Sequence, residues 1–562
     1  MDRRQFLTLE TKPKTQKNVV ARTQSGLSPY SGSWTITEVR HLTKRLMFGS
    51  TRNDVNYFLS LGFQDSVSEL LEIINHPAYS APSPPVNNYS NLLTDPTCSA
   101  GQPWPGTEDT NNGVVYTFSQ RKKSLKSWWI SQMLNQTRSL REKMTLFWAN
   151  HFVVEFDTVQ VSTYLYKYNE LLRSYAFGNF KDFVKEITLN SAMLKYLNGE
   201  KNRAGAPNEN YARELQELFT VGKDATGNPP YTEDDVKAAA RVLTGWRNDL
   251  VGTSSANGFN SYFDSTRHDT TDKQFSAFYN NTLIAGQSGA GAISELDDLL
   301  DMIFSKDEIS LFICRKLYRY FVYYEIDSAT EQNVIVPLAS IFRNNNYEIL
   351  PVLDTLFRSE HFFDVLNQGC LIKNPLDFSI GLCREFNVQF PDSSNLSGQY
   401  GCWDKVRIIA SGILLDAGDP PNVAGWPAYY QEPGYHEIWI NSDTLPKRNQ
   451  FSDRMISNGY TVYGGSILLD VVAYTESLTN ASDPLTLIEE VLALNYCLDV
   501  SQNLRNYLLS ILLSGQSSNS YWTNAWDDYI GDPTNTSYYM IVKTRLQQFY
   551  TYIMDLSEYQ LC

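Results

Sequence analysis

A Ser or Thr followed three residues later by Glu or Asp recurs along this chain: Thr35/Glu38, Thr51/Asp54, Ser139/Glu142, Thr232/Asp235, Ser294/Asp297, Ser305/Glu308 and Ser328/Glu331. In such a pair the hydroxyl accepts from the backbone N–H of the third helical residue and the carboxylate accepts back at the cap. Two orphan donors are satisfied together and a helix starts. Each pair precedes apolar residues spaced three and four apart. After Thr232 these are Val236, Ala239, Ala240 and Leu243, with Tyr231 and Val236 placed as a hydrophobic staple. The chain is therefore expected to be mostly α, a large multi-helical globular architecture with long irregular loops and little strand. Evenly spaced alternating runs joined by two-residue turns are missing, and only the Tyr-rich stretch 459–464 reads as a short hairpin.

Punctuation divides the 562 residues. Residues 1–34 are polar and without periodicity, which reads as a flexible arm. A helical N-terminal half, 35–250, is interrupted at 77–112 by Pro77, Pro82, Pro84, Pro85, Pro96, Pro103 and Pro105. That insertion forbids helix and is expected as a long surface loop open to proteases. Residues 251–292 form a second loop, carrying Arg267-His268-Asp269 and ending in Gly286-Gln287-Ser288-Gly289-Ala290-Gly291. This glycine run lacks the Lys-Ser/Thr of a phosphate-binding P-loop. A second helical half, 293–460, should pack directly on the first, and 461–562 reads as a C-terminal helical extension. Asn422 to Trp426, bounded by proline and holding a Gly and a large aromatic, reads as a buried plug joining the halves.

Lys and Arg number 47 against 62 Asp and Glu, a net charge of −15. That balance opposes a general nucleic-acid binder and an anionic membrane surface, while leaving room for a small local basic patch. Seven scattered cysteines without a C-x-x-C pair read as buried free thiols. The most apolar stretch, Ile309 to Tyr324, is broken by Arg315, Lys316 and Arg319, so no transmembrane segment is expected.

The chemistry must come from few groups. There are six histidines, His41, His76, His151, His268, His361 and His436. Neither H-E-x-x-H nor G-x-S-x-G occurs. His151 and Glu155 would lie one turn apart if 140–156 were a single helix. The densest polar stretch runs from Pro207 to Phe219. Asn208 is placed to cap a helix there and Glu209 to sit in its first turn. Arg213 and Glu217 share a face, and Glu214 and Glu217 are spaced to present paired carboxylates. Carboxylates joined by imidazoles from elsewhere suit a divalent metal or general acid/base work. Once capping roles are subtracted, the candidates are His151, Arg213, Glu214, Glu217, His268 and Asp269, with His151, Glu217 and His268 as metal ligands. His151, Glu214 or Glu217, and His268 are expected to converge in one cleft.

Several segments together resemble one bacterial family. They are His41 to Arg45 with Phe48-Gly49, Leu140 to Met144 running into Phe147 to Phe152, Asn208 to Phe219, Tyr231 to Val236, Leu243 to Trp246, His268-Asp269, Ile372-Lys373-Asn374-Pro375, and Pro420 to Trp426. In this order they are similar to the family known as domain of unknown function 1800, over roughly residues 35–460. The resemblance implies no activity. It does imply an exported protein of a Gram-negative or related bacterium, often found beside the family called domain of unknown function 1501, which itself resembles alkaline phosphatases and sulfatases. Set against the family's pattern, 77–112, Gln431 to His436 and the residues after 460 read as additions.

The expected function is a helical, envelope-associated binding or assembly component acting with such a partner protein. The alternative is a metal- or acid/base-dependent hydrolase of an envelope polymer or conjugate. The resemblance places the protein in the periplasm or at the cell surface. The residues themselves point to the cytoplasm, because Arg3-Arg4-Gln5-Phe6-Leu7 matches the start of a twin-arginine address but no apolar segment or cleavage site follows. Export in complex with a signal-bearing partner reconciles the two.

Overall fold

The computed structural model describes residues 22–562 apart from Gln24, 112–114, 224–226, 252–253 and 256–257. The twin-arginine segment lies outside the described residues. The fold is 57% helical and 5% strand. Eight helices carry the residues around which the site and the core are built: α1 (Ile36–Leu46), α2 (Phe118–Leu134), α3 (Arg141–His151), α4 (Asp307–Phe321), α5 (Pro375–Glu385), α6 (Leu396–Gly412), α7 (Thr444–Ser457) and α8 (Thr536–Asp555).

Thr35/Glu38, Thr51/Asp54 and Thr232/Asp235 close as reciprocal capping boxes. The other four pairs do not. Glu142 bonds Arg173 at 2.6 Å, Asp297 bonds Lys185 at 2.6 Å and Glu331 bonds Arg315 at 3.1 Å. Lys306 stands at the cap position expected for Ser305. In the first three the carboxylate makes a charge-assisted bond to a cation instead of closing the cap. The expected single helix over 140–156 also ends early. α3 stops at Phe152, whose carbonyl accepts from Tyr168 Oη at 2.6 Å, and a new short helix begins at Phe156. His151 and Glu155 therefore do not share a helical turn.

One continuous set of buried apolar side chains runs from Val39 to Tyr559, so α1 to α3 and the helices after 293 share a core. Residues 461–562 are built into it. Leu371 and Cys562 exchange backbone hydrogen bonds at 3.4 and 2.9 Å, and Lys373 N–H donates to Gln560 O at 2.8 Å. Trp426 is fully buried, and its N–H donates to Asn150 Oδ1 on α3 at 2.8 Å, which seats the 422–426 segment between the halves. The hairpin expected near 459–464 is present, pairing Tyr460–Val462 with Gly465–Ile467. All seven cysteines are free, and six are buried. Among the described residues no helix is long and apolar enough to cross a membrane.

Three loop expectations need correction. Residues 25–34 are laid against 358–363, with Tyr30 N–H donating to Arg358 O at 2.7 Å and the Tyr30 ring 4.6 Å from Phe363. The 251–292 loop, as far as it is described, carries short strands, among them Ser261–Phe263 paired with Trp246–Asn248 and Lys273–Gln274 paired with Leu283–Ile284. The described part of 77–112 has no helix but folds back on α2. Trp104 is fully buried and donates from Nε1 to Ser124 Oγ at 3.1 Å, and Asp95 pairs with Arg121 at 2.8 Å with neither side chain exposed. Proline excludes helix here, yet one indole buries roughly 200 Å² and pins the segment. Trp104→Ala should cost about 3–5 kcal/mol in urea denaturation and open 85–110 to trypsin and chymotrypsin. Rapid cleavage there in the unaltered protein would show that the segment is not pinned.

Candidate functional site

The residues expected to converge each meet partners of their own. His151 ends α3 inside a nest of aromatic rings, donating from Nε2 to Phe219 O at 3.1 Å while Lys316 Nζ donates to its Nδ1 at 3.0 Å. Burial, then the Lys316 charge, holds its pKa well below the usual imidazole value. Arg213 forks onto Glu233 at 2.7 Å through both terminal nitrogens, and not onto Glu217. Glu217 pairs with Lys223 at 2.6 Å. Burial and the Glu217 charge push the Glu214 carboxyl up. His268 places Nδ1 2.9 Å from Thr244 O and Nε2 3.1 Å from a Glu295 oxygen, while Lys273 pairs with the same carboxylate at 2.5 Å. Asp269 pairs with Arg241 at 3.0 Å. Among the described residues no group of three or more His, Cys, Asp or Glu is placed to hold a metal ion, so His151, Glu217 and His268 form no ligand set. Each of these two imidazoles instead meets a main-chain carbonyl, a partner that composition does not reveal.

Convergence occurs elsewhere. Lys44 and Arg45 from α1, Lys143 from α3, Arg319 from α4 and Asp377 from α5 line a cavity of about 30 Å³, together with Tyr435 and His436. Asn374 caps α5 with its side chain, and Pro375 at the first helical position fixes the turn that aims Lys373 and Asn374 inward. Arg40 and Lys44, four apart on α1, face the end of α5. Glu385 there has Lys44 Nζ at 3.4 Å from one oxygen, Arg40 at 3.9 Å, and Lys373 Nζ at 3.9 Å from the other. Lys143 pairs with Asp377, and Arg448 from α7 donates to Lys373 O at 2.9 Å.

Electrostatically the region is lopsided. Arg40, Lys44, Arg45, Lys143, Lys373 and Arg448 are each at most 3% exposed, and the carboxylates that pair with them are Glu385 and Asp377. Among the described residues, all three guanidinium nitrogens of Arg40, the ammonium of Lys373, and Nε of Arg45 and of Arg448 have no hydrogen-bond partner. Burial raises the Glu385 carboxyl, and Lys373, Lys44 and Arg40 together more than offset this, leaving its pKa below the usual value. Burial, then the Arg40 charge, brings Lys44 down to about 7. An uncompensated buried cation is costly, so a cluster with this excess is suited to receive negative charge from outside.

Fold and site define a mostly helical protein built round a buried cationic cavity. The chain belongs to the family described as "Protein of unknown function (DUF1800)", whose model matches residues 41–561. Residues 461–561 are thus part of the family's own pattern and not an extension of it. The reason is visible, since Asn495 O accepts from Lys44 and Gln560 Oε1 from Arg448. No curated protein and no solved structure matches the chain. Lys44, Arg45, Lys143 and Lys373 all stand in the motif segments that carry the resemblance, although nothing in those segments shows that they meet.

Proposed function

We propose that the protein is a binding protein that takes a small anionic ligand into the cationic cavity. The excess of buried cations over carboxylates, with donors left unpaired, carries this reading. In a chain of net charge −15 such a pocket selects a small anion able to enter, and not a polyanion. Thermal denaturation at constant ionic strength tests it. Tm should rise and saturate with at least one anion among phosphate, sulfate and acetate, and the rise should vanish in a Lys44→Met/Lys143→Met double variant. No shift with any of them would overturn the reading.

Lys44 gives the binding a pH dependence. Its ammonium discharges as pH rises through about 7, and a bound anion favours the charged form, so binding takes up a proton near neutrality. Affinity should be higher at pH 6 than at pH 8, and calorimetry in two buffers of different ionisation enthalpy should detect the uptake.

The metal-dependent form of the hydrolase alternative needs His151, Glu217 and His268 on one metal, and their separate contacts weaken it. Stoichiometric Zn, Mn or Fe, lost when His151 and His268 are changed, would revive it. Placement in the envelope beside a partner of the family called domain of unknown function 1501 rests on the resemblance. Fractionation of cells with and without that partner tests it: untagged protein strictly cytoplasmic in both would sink co-export.

A further inference from the structure

The cavity holds a donor whose polarity is fixed by geometry. Ile372 N–H donates to His436 Nδ1 at 3.1 Å, so Nδ1 is the acceptor and Nε2 carries the proton. That Nε2 is buried, has no hydrogen-bond partner among the described residues and belongs to a residue lining the cavity. It comes from the Gln431 to His436 segment, which stands apart from the motifs that carry the family resemblance.

The neighbouring donors are also single N–H groups from separate elements. Arg45, 3% exposed, donates from Nη1 to Val322 O at 3.2 Å and from Nη2 to Asn367 O at 2.9 Å, leaving Nε free. Lys44 and Lys143 add point charges from α1 and α3. Arg40, whose fork is free, faces Glu385 and does not line the cavity. Arg319 gives its Nε to Tyr324 O at 3.2 Å and lies 5.8 Å from the Tyr435 ring. A planar carboxylate is best held by a guanidinium fork lying in its own plane. Separate donors converging from three elements instead match oxygens that point in several directions. The volume, about 30 Å³, limits the occupant to one small head group.

We infer that the ligand is a tetrahedral oxyanion, a phosphate or sulfate head group, free or at the end of a larger molecule, and that His436 reads it through the Nε2–H. This rests on the anion-binding reading of the same cavity and adds the ligand class and the reading residue. Inorganic phosphate, sulfate and acetate, titrated into the full chain by calorimetry at fixed ionic strength, test it. Phosphate or sulfate should bind at least tenfold more tightly than acetate, and whichever of the two is tighter identifies the head group.

Two variants isolate the donor. His436→Asn keeps an acceptor near Nδ1 for Ile372 and removes the donor at Nε2, whereas His436→Gln restores an N–H near that position. Affinity for the oxyanion should fall tenfold or more in His436→Asn. It should return to within a few-fold of the parent in His436→Gln, with the ligand-free Tm of both close to the parent. Acetate binding as tightly as phosphate and sulfate would overturn the ligand class while leaving the cavity an anion site. Equal affinities of His436→Asn and the parent would overturn the role of His436. Binding of no anion at all would overturn the cavity reading itself.

Discussion

Glu385→Gln is expected to lower stability by about 3–5 kcal/mol, the largest loss from any single charge removal near the cavity. The carboxylate is 3% exposed and lies within 3.9 Å of Arg40, Lys44 and Lys373, none of which has another carboxylate within ion-pair distance among the described residues. Neutralising it removes the common counter-charge of three buried cations at once. The same contacts set the pH behaviour. Because the folded-state pKa of Glu385 lies below its ordinary value, its contribution is fully present above the unfolded-state pKa near 4.3 and is lost as pH falls through the folded-state value. In Glu385→Gln that part of the acid limb disappears. Urea denaturation of both proteins at pH 7 and pH 4 measures it. An added oxyanion should restore more stability to the variant than to the parent, because it supplies the charge that was removed. A variant as stable as the parent at pH 7 would mean that the three cations are not held charged around this carboxylate.

Helix starts were legible in the sequence because capping is local. Thr35, Thr51 and Thr232 find their carboxylates three residues away, and Asp54 keeps its cap although Arg138 and Arg384 also reach it. At Ser139 the same pattern fails because Arg173, 31 positions from Glu142, offers a stronger partner. The cavity was illegible for the same reason on a larger scale. Lys44 by itself reads as a solvated position on a helix, and Lys373 as a residue ahead of a cap. Only the packing of α1 against α5, with Asn495 and Gln560 closing from the far end of the chain, removes both from water. Conversely, His151 and His268 stood out because imidazoles are few here, and scarcity is not geometry. Each bonds a backbone carbonyl and lies beside one charged side chain. Trp104 shows the limit of reading prolines: they report what the backbone cannot do, not where the segment lies.

Gly425→Ala should cost about 4 kcal/mol, which makes the 422–426 segment a second test of how the halves are joined. Gly425 has φ +94°, a conformation that L side chains rarely adopt. A Cβ there would fall 2.3 Å from Asn150 Oδ1 and 2.7 Å from Asn150 O. Those atoms belong to the last turn of α3, and Asn150 Oδ1 is the acceptor that holds Trp426 N–H. The methyl group therefore strains the backbone, pushes α3 away and breaks the bond that seats a fully buried indole. Trp426→Phe keeps the glycine conformation and most of the packing, so it should cost markedly less. The consequence for function is separable from the loss of stability. Lys143 lies two turns before Asn150 on α3, so a shift of that helix moves one wall of the cavity. Below its melting temperature, Gly425→Ala should bind the oxyanion several-fold more weakly although it changes no residue that lines the site. A variant that unfolds at the parent's urea midpoint would show that the segment does not clamp α3. One that loses stability but keeps full affinity would show that the clamp and the cavity are mechanically independent.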